Sequence, residues 1–382
     1  KTISSLQIRF DNTTAGLPCT FIFTNGSKLF TNITSASSSY AFGSSAQSSE
    51  KWVIFEAGSH IYYDGGFSPS GSGAGFSAID MRPGSTWHHR ANNPIANFGN
   101  FFSRKNFGNV IVENDATLTA MGPVYSIENL TINAGSTFNL YDQGGQTGIT
   151  GNLVVNGVLT TAAGGNELIM AGSGAQTISG TGTINLPGLI IADNANVTLS
   201  KDVTVSNAAT IYGKLNFGTN KLTGAGTFRA NGKTAPVAAT ANLFIDSFFI
   251  KGNVGIPTSS RGFSISGVGI APNTSIIAFS TTGDTVYLSN PVVTSSTGVA
   301  LTVSSDGAVL ETANTNGFDP ATGSVALTGS QTYQDNINYI IHAATTFPFG
   351  VSTTSSPTEI HADFVEINAP VTFNRSVTIT DH

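Results

Sequence analysis

Short runs of alternating apolar and polar residues recur along the middle of the chain. Three of them read GNVIV, ENLTI and GNLVV, and they begin at residues 108, 128 and 151. These are steps of 20 and 23 residues, and a looser copy, PGLII, begins at residue 187. A period of two residues turns one face of each run inward and the other toward solvent. The pattern therefore predicts short β-strands in a repeating unit.

A second apolar segment follows each of the first three runs after a turn. These segments are Ala116–Leu118, Ser136–Leu140 and Gly157–Leu159, and Gly, Asn and Asp residues lie between them and the runs. Such residues tolerate the positive φ of tight turns. One repeat cannot bury its own inner face, whereas stacked repeats can. We therefore expect an all-β fold, a right-handed parallel β-helix (solenoid) with a small inserted antiparallel β-module.

The repeats divide the chain into four expected segments. Residues 1–105 are aromatic-rich and irregular, and we interpret them as solenoid coils with long loops at 35–49 and 65–75. Residues 106–250 form the regular parallel β-helix. Residues 251–305 break the pattern with strands punctuated by Gly and Pro, which predicts the inserted module. Residues 306–382 resume the coils, and the phrase at 364–379 repeats that at 189–205. A solenoid that ended there would leave an uncapped apolar edge, so we expect the natural protein to continue or another chain to cover that end.

Charge is sparse, and this narrows the possible partners. Only 10% of residues are charged, against about 25% in typical soluble domains, which favours β-structure over helices with charged faces. The net charge is −6 and there is no basic patch, so we expect no nucleic-acid partner. No apolar run approaches the roughly 18 residues of a membrane span, so we expect no membrane insertion. The sole cysteine, Cys19, has no partner for an internal disulfide.

Several phrases resemble the large secreted β-solenoid proteins of Bacteroidetes. They are IENLTINAGSTFNL, TGNLVVNGVLTT and GAQTISGTGTINLPGLII, within residues 105–235, and the resemblance extends to 360–380. That group includes type IX secretion substrates and gliding-motility adhesins. The segment GVGIAPNTSIIAF, with the later YLSNPVVTSSTGVALTV, resembles short β-modules of bacterial and phage surface proteins. The resemblance implies an exported protein, secreted or on the cell surface, whose partners include the secretion machinery and further coils of the same polypeptide.

No catalytic constellation is apparent, and we predict neither an enzyme nor a cofactor. Polysaccharide-cleaving β-helix proteins cluster acidic groups on one face, whereas the carboxylates here occur singly in predicted turns. Adjacent coils can still bring two of them together, so a polysaccharide-binding or pectin-lyase-like β-helix protein remains the alternative. A phage tail protein is a third, less favoured alternative. The scattered acidic residues are Asp64, Asp80, Asp115, Asp142, Asp193, Asp202, Glu113, Glu128 and Glu167.

The candidate ligand-binding residues are Tyr62, Tyr63, Trp87, His88 and His89. Aromatic rings stack on sugar faces, so they suit a polysaccharide or another extracellular surface. The competing interpretation is that these aromatic residues fill a wider N-terminal core. Adjacent residues of a strand point to opposite faces, so the two imidazoles are poorly placed to share one metal, and we predict no metal site.

Thr285 is a candidate O-glycosylation site, because Asp284, Thr285 and Val286 match the short acceptor pattern of Bacteroidetes. Taken together, the sequence favours a structural or adhesive rod-like segment of a large surface protein that acts in attachment or gliding motility.

Overall fold

The computed structural model describes residues 21–33, 53–66, 79–92, 106–120, 126–140, 146–161, 167–280, 282–352, 359–373 and 376–379. Cys19, the expected loop at 35–49 and most of that at 65–75 lie outside these ranges. The chain forms two compact units, one of residues 1–145 with 155–166 and the other of residues 146–154 with 167–382.

The described residues form β-strands and contain no α-helix, as the composition predicts; one 3₁₀ turn lies at Thr258–Ser260. The strands described in the first half of the chain are short. They are β1 (Phe21–Phe23), β2 (Lys28–Ile33), β3 (Val53–Phe55), β4 (His60–Gly66), β5 (Ile79–Met81), β6 (Thr86–His89), β7 (Asn106–Val112), β8 (Thr117–Ala120), β9 (Ser126–Ile132), β10 (Thr137–Leu140), β11 (Gln146–Ile149), β12 (Leu153–Val155) and β13 (Val158–Thr161).

Within the described residues, eight further strands lead to an antiparallel barrel of six, and seven more strands follow it. The leading strands are β14 (Glu167–Met170), β15 (Ala175–Ser179), β16 (Thr183–Ile191), β17 (Asn196–Leu199), β18 (Val203–Ile211), β19 (Lys214–Asn216), β20 (Leu222–Gly224) and β21 (Thr227–Ala230). The barrel strands are β22 (Thr234–Leu243), β23 (Phe249–Val254), β24 (Ser264–Gly267), β25 (Thr274–Phe279), β26 (Thr285–Leu288) and β27 (Ser296–Ser305). The final strands are β28 (Val309–Thr312), β29 (Val325–Leu327), β30 (Gln331–Tyr333), β31 (Asn338–Ile341), β32 (Glu359–Ala362), β33 (Val365–Ile367) and β34 (Ser376–Ile379).

Parallel pairing in the first unit follows the sequence repeat. Strands β2, β4, β6, β7 and β9 are successive parallel neighbours. Strand β10 lies between β8 and β13, with Phe138 opposite Leu118 on one side and Leu159 on the other. The predicted second apolar segments therefore align with one another. On β7 and β9, Asn129 donates a hydrogen bond to Asn109, 20 positions earlier, at 2.8 Å, so equivalent asparagines of two successive repeats contact each other.

The core of this unit comes from alternate residues of the strands. Val110 and Val112 of β7 and Leu130 and Ile132 of β9 are fully buried, and the residue between each pair is partly exposed. This is the inward and outward alternation that a period of two predicts. Each inward residue lies opposite an inward residue of the neighbouring strand, so the side chains of successive repeats bury one another.

The second unit contains a parallel sheet that continues across a large insertion. Strand β19 pairs with β17 on one side and with β28 on the other, with Lys214 opposite Val309. Strands β20 and β21 likewise pair with β29 and β30. Asn231 and Ala308 lie at the two ends of the insertion, and the Ala308 N–H donates to the Asn231 carbonyl oxygen at 2.7 Å. The chain therefore leaves the sheet and returns to it at the same place.

The insertion is a closed antiparallel barrel with the strand order β22-β23-β26-β25-β24-β27. Its interior is apolar, and Ile250, Ile276, Val286 and Leu288 are fully buried there. The barrel begins at Thr234, earlier than the expected boundary at residue 251, because β22 and β27 are a long antiparallel pair. The β22 sequence, TAPVAATANL, contains Ala and Thr like the segment before it. The sequence alone therefore does not show where the barrel begins.

Candidate functional site

Three side chains form an outward strip on the first unit. Phe30, Tyr62 and His88 lie at matching positions of β2, β4 and β6. The Phe30 and Tyr62 ring centroids are 4.7 Å apart and those of Tyr62 and His88 4.2 Å apart, and both pairs are stacked nearly parallel. In this arrangement each ring packs one of its faces against a face of the neighbouring ring. Phe30 is the most open of the three, with 59% of its surface exposed.

A cation lies beside this strip. The Arg90 guanidinium is 4.8 Å from the centroid of the Tyr62 ring and 5.8 Å from that of Phe30. Two of its nitrogens contact Asp64 Oδ1, at 2.7 and 2.6 Å, so its charge is paired. The contact combines a cation–π interaction with an ion pair and fixes the outer surface of β4 and β6.

Three of the five predicted ligand residues lie on the inner face instead. Tyr63, Trp87 and His89 are fully buried. Tyr63 stacks with Trp87 at 6.0 Å and with His89 at 5.0 Å. Burial raises the pKa of Tyr63. These side chains fill the core, so they have no surface for a polysaccharide, and only Tyr62 and His88 remain accessible.

The two adjacent histidines are separated by the strand alternation, as the sequence indicates. His89 Nε2 lies 3.3 Å from the Thr117 carbonyl oxygen inside the unit. Burial lowers the pKa of His89 to about 3, despite the opposing effect of that hydrogen bond. His89 is therefore neutral at physiological pH.

Beside His88 the structure places His60, which the sequence analysis does not single out, and Glu113, which it names only among the scattered acidic residues. His60 Nδ1 lies 3.1 Å from His88 Nε2, and Glu113 Oε1 lies 3.1 Å from His88 Nδ1. Burial lowers the pKa of His88, although Glu113 raises it. The signal was present in the sequence, because HIYY at 60–63 aligns with TWHH at 86–89 as one more repeat.

Several of the scattered acidic residues have structural contacts, and Asp142 lies outside the described residues. Besides Asp64 and Glu113, Glu128 accepts the Gly84 N–H at 2.6 Å, and Glu167 pairs with Arg261 at 2.8 Å. No set of three or more His, Cys, Asp or Glu side chains that could hold a metal ion occurs among the described residues.

Thr285, the predicted glycosylation site, lies in the barrel with only 8% of its surface exposed. Its hydroxyl donates to Asp284 Oδ1 at 3.2 Å. The same oxygen accepts hydrogen bonds from Thr282 and Ser280, and these bonds lower the pKa of Asp284. Asp284 therefore organises the turn between β25 and β26, and burial leaves the Thr285 hydroxyl poorly accessible to a modifying enzyme.

One end of the barrel carries exposed apolar side chains. We call residues 244–248, 268–273 and 289–295 the loop end. The side chains are Phe244 (42% exposed), Ile245 (56%), Val268 (82%) and Val293 (50%). Asp246 is the only charged residue in these three segments.

Hydrogen bonds connect the three loops of the loop end. The Val293 N–H donates to the Gly269 carbonyl at 2.9 Å, and the Asp246 N–H donates to the Val292 carbonyl at the same distance. The Ile245 N–H donates to Ser295 Oγ at 2.8 Å. The apolar side chains are thus held on an ordered framework.

No helix in the described ranges is long and apolar enough to cross a membrane. Comparisons of the chain with models of known protein families, with curated proteins and with solved structures find no match.

Proposed function

We propose that the chain is a stretch of a right-handed parallel β-solenoid in an exported surface protein, where it serves as a structural and adhesive segment. Support for the solenoid comes from the parallel pairing of successive repeats, with buried residues at matching inner positions. A strand that pairs only with the repeats before and after it is the defining relationship of such folds. Support for the surface location is the resemblance of the repeats to secreted Bacteroidetes proteins.

The observation that carries the adhesive role is the loop end of the barrel. Ordered apolar side chains that face solvent commonly mark a contact with another surface. Complete burial of a Val, Ile or Phe side chain is worth about 1.5–3 kcal/mol, so four of them form a substantial contact even when partly buried. The near absence of charge suits an uncharged apolar surface.

Adsorption to defined surfaces tests this role. A quartz crystal microbalance would compare the purified chain on alkyl-coated and on hydroxylated silica. We expect stronger adsorption on the alkyl surface, and a loss of that preference in the double variant Ile245→Ser with Val268→Ser. Val254→Ser is the matched control, because Val254 is 67% exposed but lies at the far end of β23. Equal adsorption of the wild type on both surfaces, or equal effects of the variant and its control, would refute the proposal.

The polysaccharide-binding alternative depends on the outward strip. Its support is weaker, because the rings of Tyr62 and His88 already stack on their neighbours. A carbohydrate array provides the comparison. Binding that is lost in Phe30→Ala and kept in Ile245→Ser would favour the alternative over the apolar contact.

A further inference from the structure

His60 and His88 approach each other on the outer surface of β4 and β6. His60 lies opposite Thr86 in the parallel register, so His88 is two positions further along the neighbouring strand. The two rings are tilted by 39° with centroids 5.3 Å apart, and Nδ1 of one faces Nε2 of the other at 3.1 Å. Both residues are partly exposed.

We propose that His60 and His88 together bind one divalent transition-metal ion of the zinc or copper class. Metal–imidazole bonds are about 2.0–2.1 Å long, so two nitrogens on one ion lie about 2.9 Å apart at a right angle and about 3.3 Å apart in a tetrahedron. The observed nitrogen separation of 3.1 Å falls between these values. A shared ion requires each ring to turn so that both lone pairs point at a common position beside the line that joins the two nitrogens.

Glu113 supplies the outer contact that metal-binding histidines usually have. Its carboxylate lies 3.1 Å from His88 Nδ1, on the opposite side of the ring from His60. A proton on Nδ1 that is donated to Glu113 leaves the Nε2 lone pair free for a metal ion. Such carboxylate–histidine contacts fix the tautomer and strengthen the bond to the metal.

The charges around the pair are compatible with a cation. Arg90 and Lys28 are the nearby positive groups. The Arg90 guanidinium is paired with Asp64, and Lys28 lies opposite His60 on β2 and is exposed to solvent. With two protein ligands, water completes the coordination. Imidazole prefers Cu²⁺ and Zn²⁺ to Ca²⁺ and Mg²⁺, which prefer oxygen ligands.

Isothermal titration of the full chain with ZnCl₂ and CuCl₂ at pH 7.4 tests the site. We expect one ion per chain at the strongest site, tighter binding of copper than of zinc, and no comparable binding of CaCl₂ or MgCl₂. The strongest site should disappear in both His60→Asn and His88→Asn. Glu113→Gln should weaken binding about 10-fold or more, because it removes the outer carboxylate. Saturating zinc should also raise the thermal midpoint of the wild type but not that of His60→Asn.

His342→Asn is the matched control. His342 Nε2 lies 2.9 Å from Glu311 Oε1, so it has the carboxylate contact without the imidazole partner of His88. Its substitution should leave the strongest site unchanged. Circular dichroism of His60→Asn separates lost binding from lost folding. Wild-type protein without zinc or copper binding, or a strongest site that persists in folded His60→Asn, would show that the imidazoles share only a hydrogen bond and would overturn the proposal.

Discussion

The carboxylate of Asp193 accepts a hydrogen bond from the Ser305 hydroxyl at 3.0 Å, although 112 positions separate the two residues. The same oxygen accepts the Asp306 N–H at 2.7 Å. Asp193 follows β16 of the parallel sheet, and Ser305 ends the last strand of the barrel. Burial raises the pKa of Asp193, and these hydrogen bonds partly offset that effect. The contact fastens the end of the barrel to the sheet.

Two substitutions of Asp193 should distinguish the effect of its hydrogen bonds on stability from the effect of its buried charge. Asp193→Ala leaves the Ser305 hydroxyl and the Asp306 N–H without their acceptor, so we expect a loss of about 1–3 kcal/mol in the free energy of unfolding. Asp193→Asn keeps an acceptor oxygen and removes a buried charge, so it should be less destabilising than Asp193→Ala at pH 7. Urea unfolding followed by circular dichroism measures both. An Ala variant as stable as the wild type would contradict the assigned contact.

Trp87→Ala should cost far more stability than Tyr62→Ala. Trp87 is fully buried, so its truncation leaves a cavity worth about 3–5 kcal/mol. Tyr62 loses mainly its stacking with Phe30 and His88, about 1–2 kcal/mol. The two variants are compared by urea unfolding. Equal losses would argue against the inner and outer assignment of these side chains.

The buried His89 should make the protein less stable in acid. Its pKa is about 3 in the folded chain and 6.5 ordinarily, so the unfolded chain binds the extra proton between these values. The stability is therefore complete above pH 6.5 and falls as the pH drops toward 3, by about 1.4 kcal/mol per pH unit for this group. Unfolding free energies at pH 7.5 and 5.0 measure the difference.

His89→Gln provides the comparison for the pH effect. In this variant the free energy of unfolding should fall by about 2 kcal/mol less between pH 7.5 and pH 5.0 than in the wild type, because glutamine does not titrate. His342→Gln, on an exposed histidine, should leave most of the loss in place. An unchanged pH dependence in His89→Gln would mean that other groups control acid stability.

The barrel should be removable without loss of the parallel sheet. Asn231 and Ala308 are joined by a 2.7 Å hydrogen bond, so a Gly-Gly linker in place of residues 234–305 spans the gap. Because β28 pairs directly with β19, we expect the shortened chain to keep its β-sheet circular dichroism and a cooperative thermal transition. It should also lose the preference for alkyl-coated silica. A chain that fails to fold would show that the barrel is needed for the sheet.

Sequence periodicity predicts the strands of the regular repeats and the alternation of their two faces, because a period of two residues is a local property. Phe138 aligns with Leu118 and Leu159 as the repeats indicate. The first residue of the barrel is harder to predict from the sequence, because β22 is identified by its pairing with β27, which lies far away in sequence.

The candidate site is only partly visible in the sequence for a related reason. The alternation separates His88 from His89, but it does not say which of them faces inward. That choice depends on the register against β4, where Ile61 lies opposite Trp87 and Tyr62 opposite His88. His60 lies on β4 and Glu113 directly follows β7, the two neighbours of β6, so their contacts with His88 appear only after the strands are paired.

The pairing of β19 with β28 has a consequence for the order of folding. Asn216 and Glu311, which are hydrogen-bonded between these strands, are 95 positions apart, so during synthesis the edge of β19 waits about 5–20 s for its partner. The barrel emerges in that interval with its own apolar core. Once it closes, it draws together the chain segments on either side, and the entropic cost of joining β28 to β19 falls to that of a short loop. An early-folding barrel would thus hold the unpaired edge of β19 close to the segment that becomes β28.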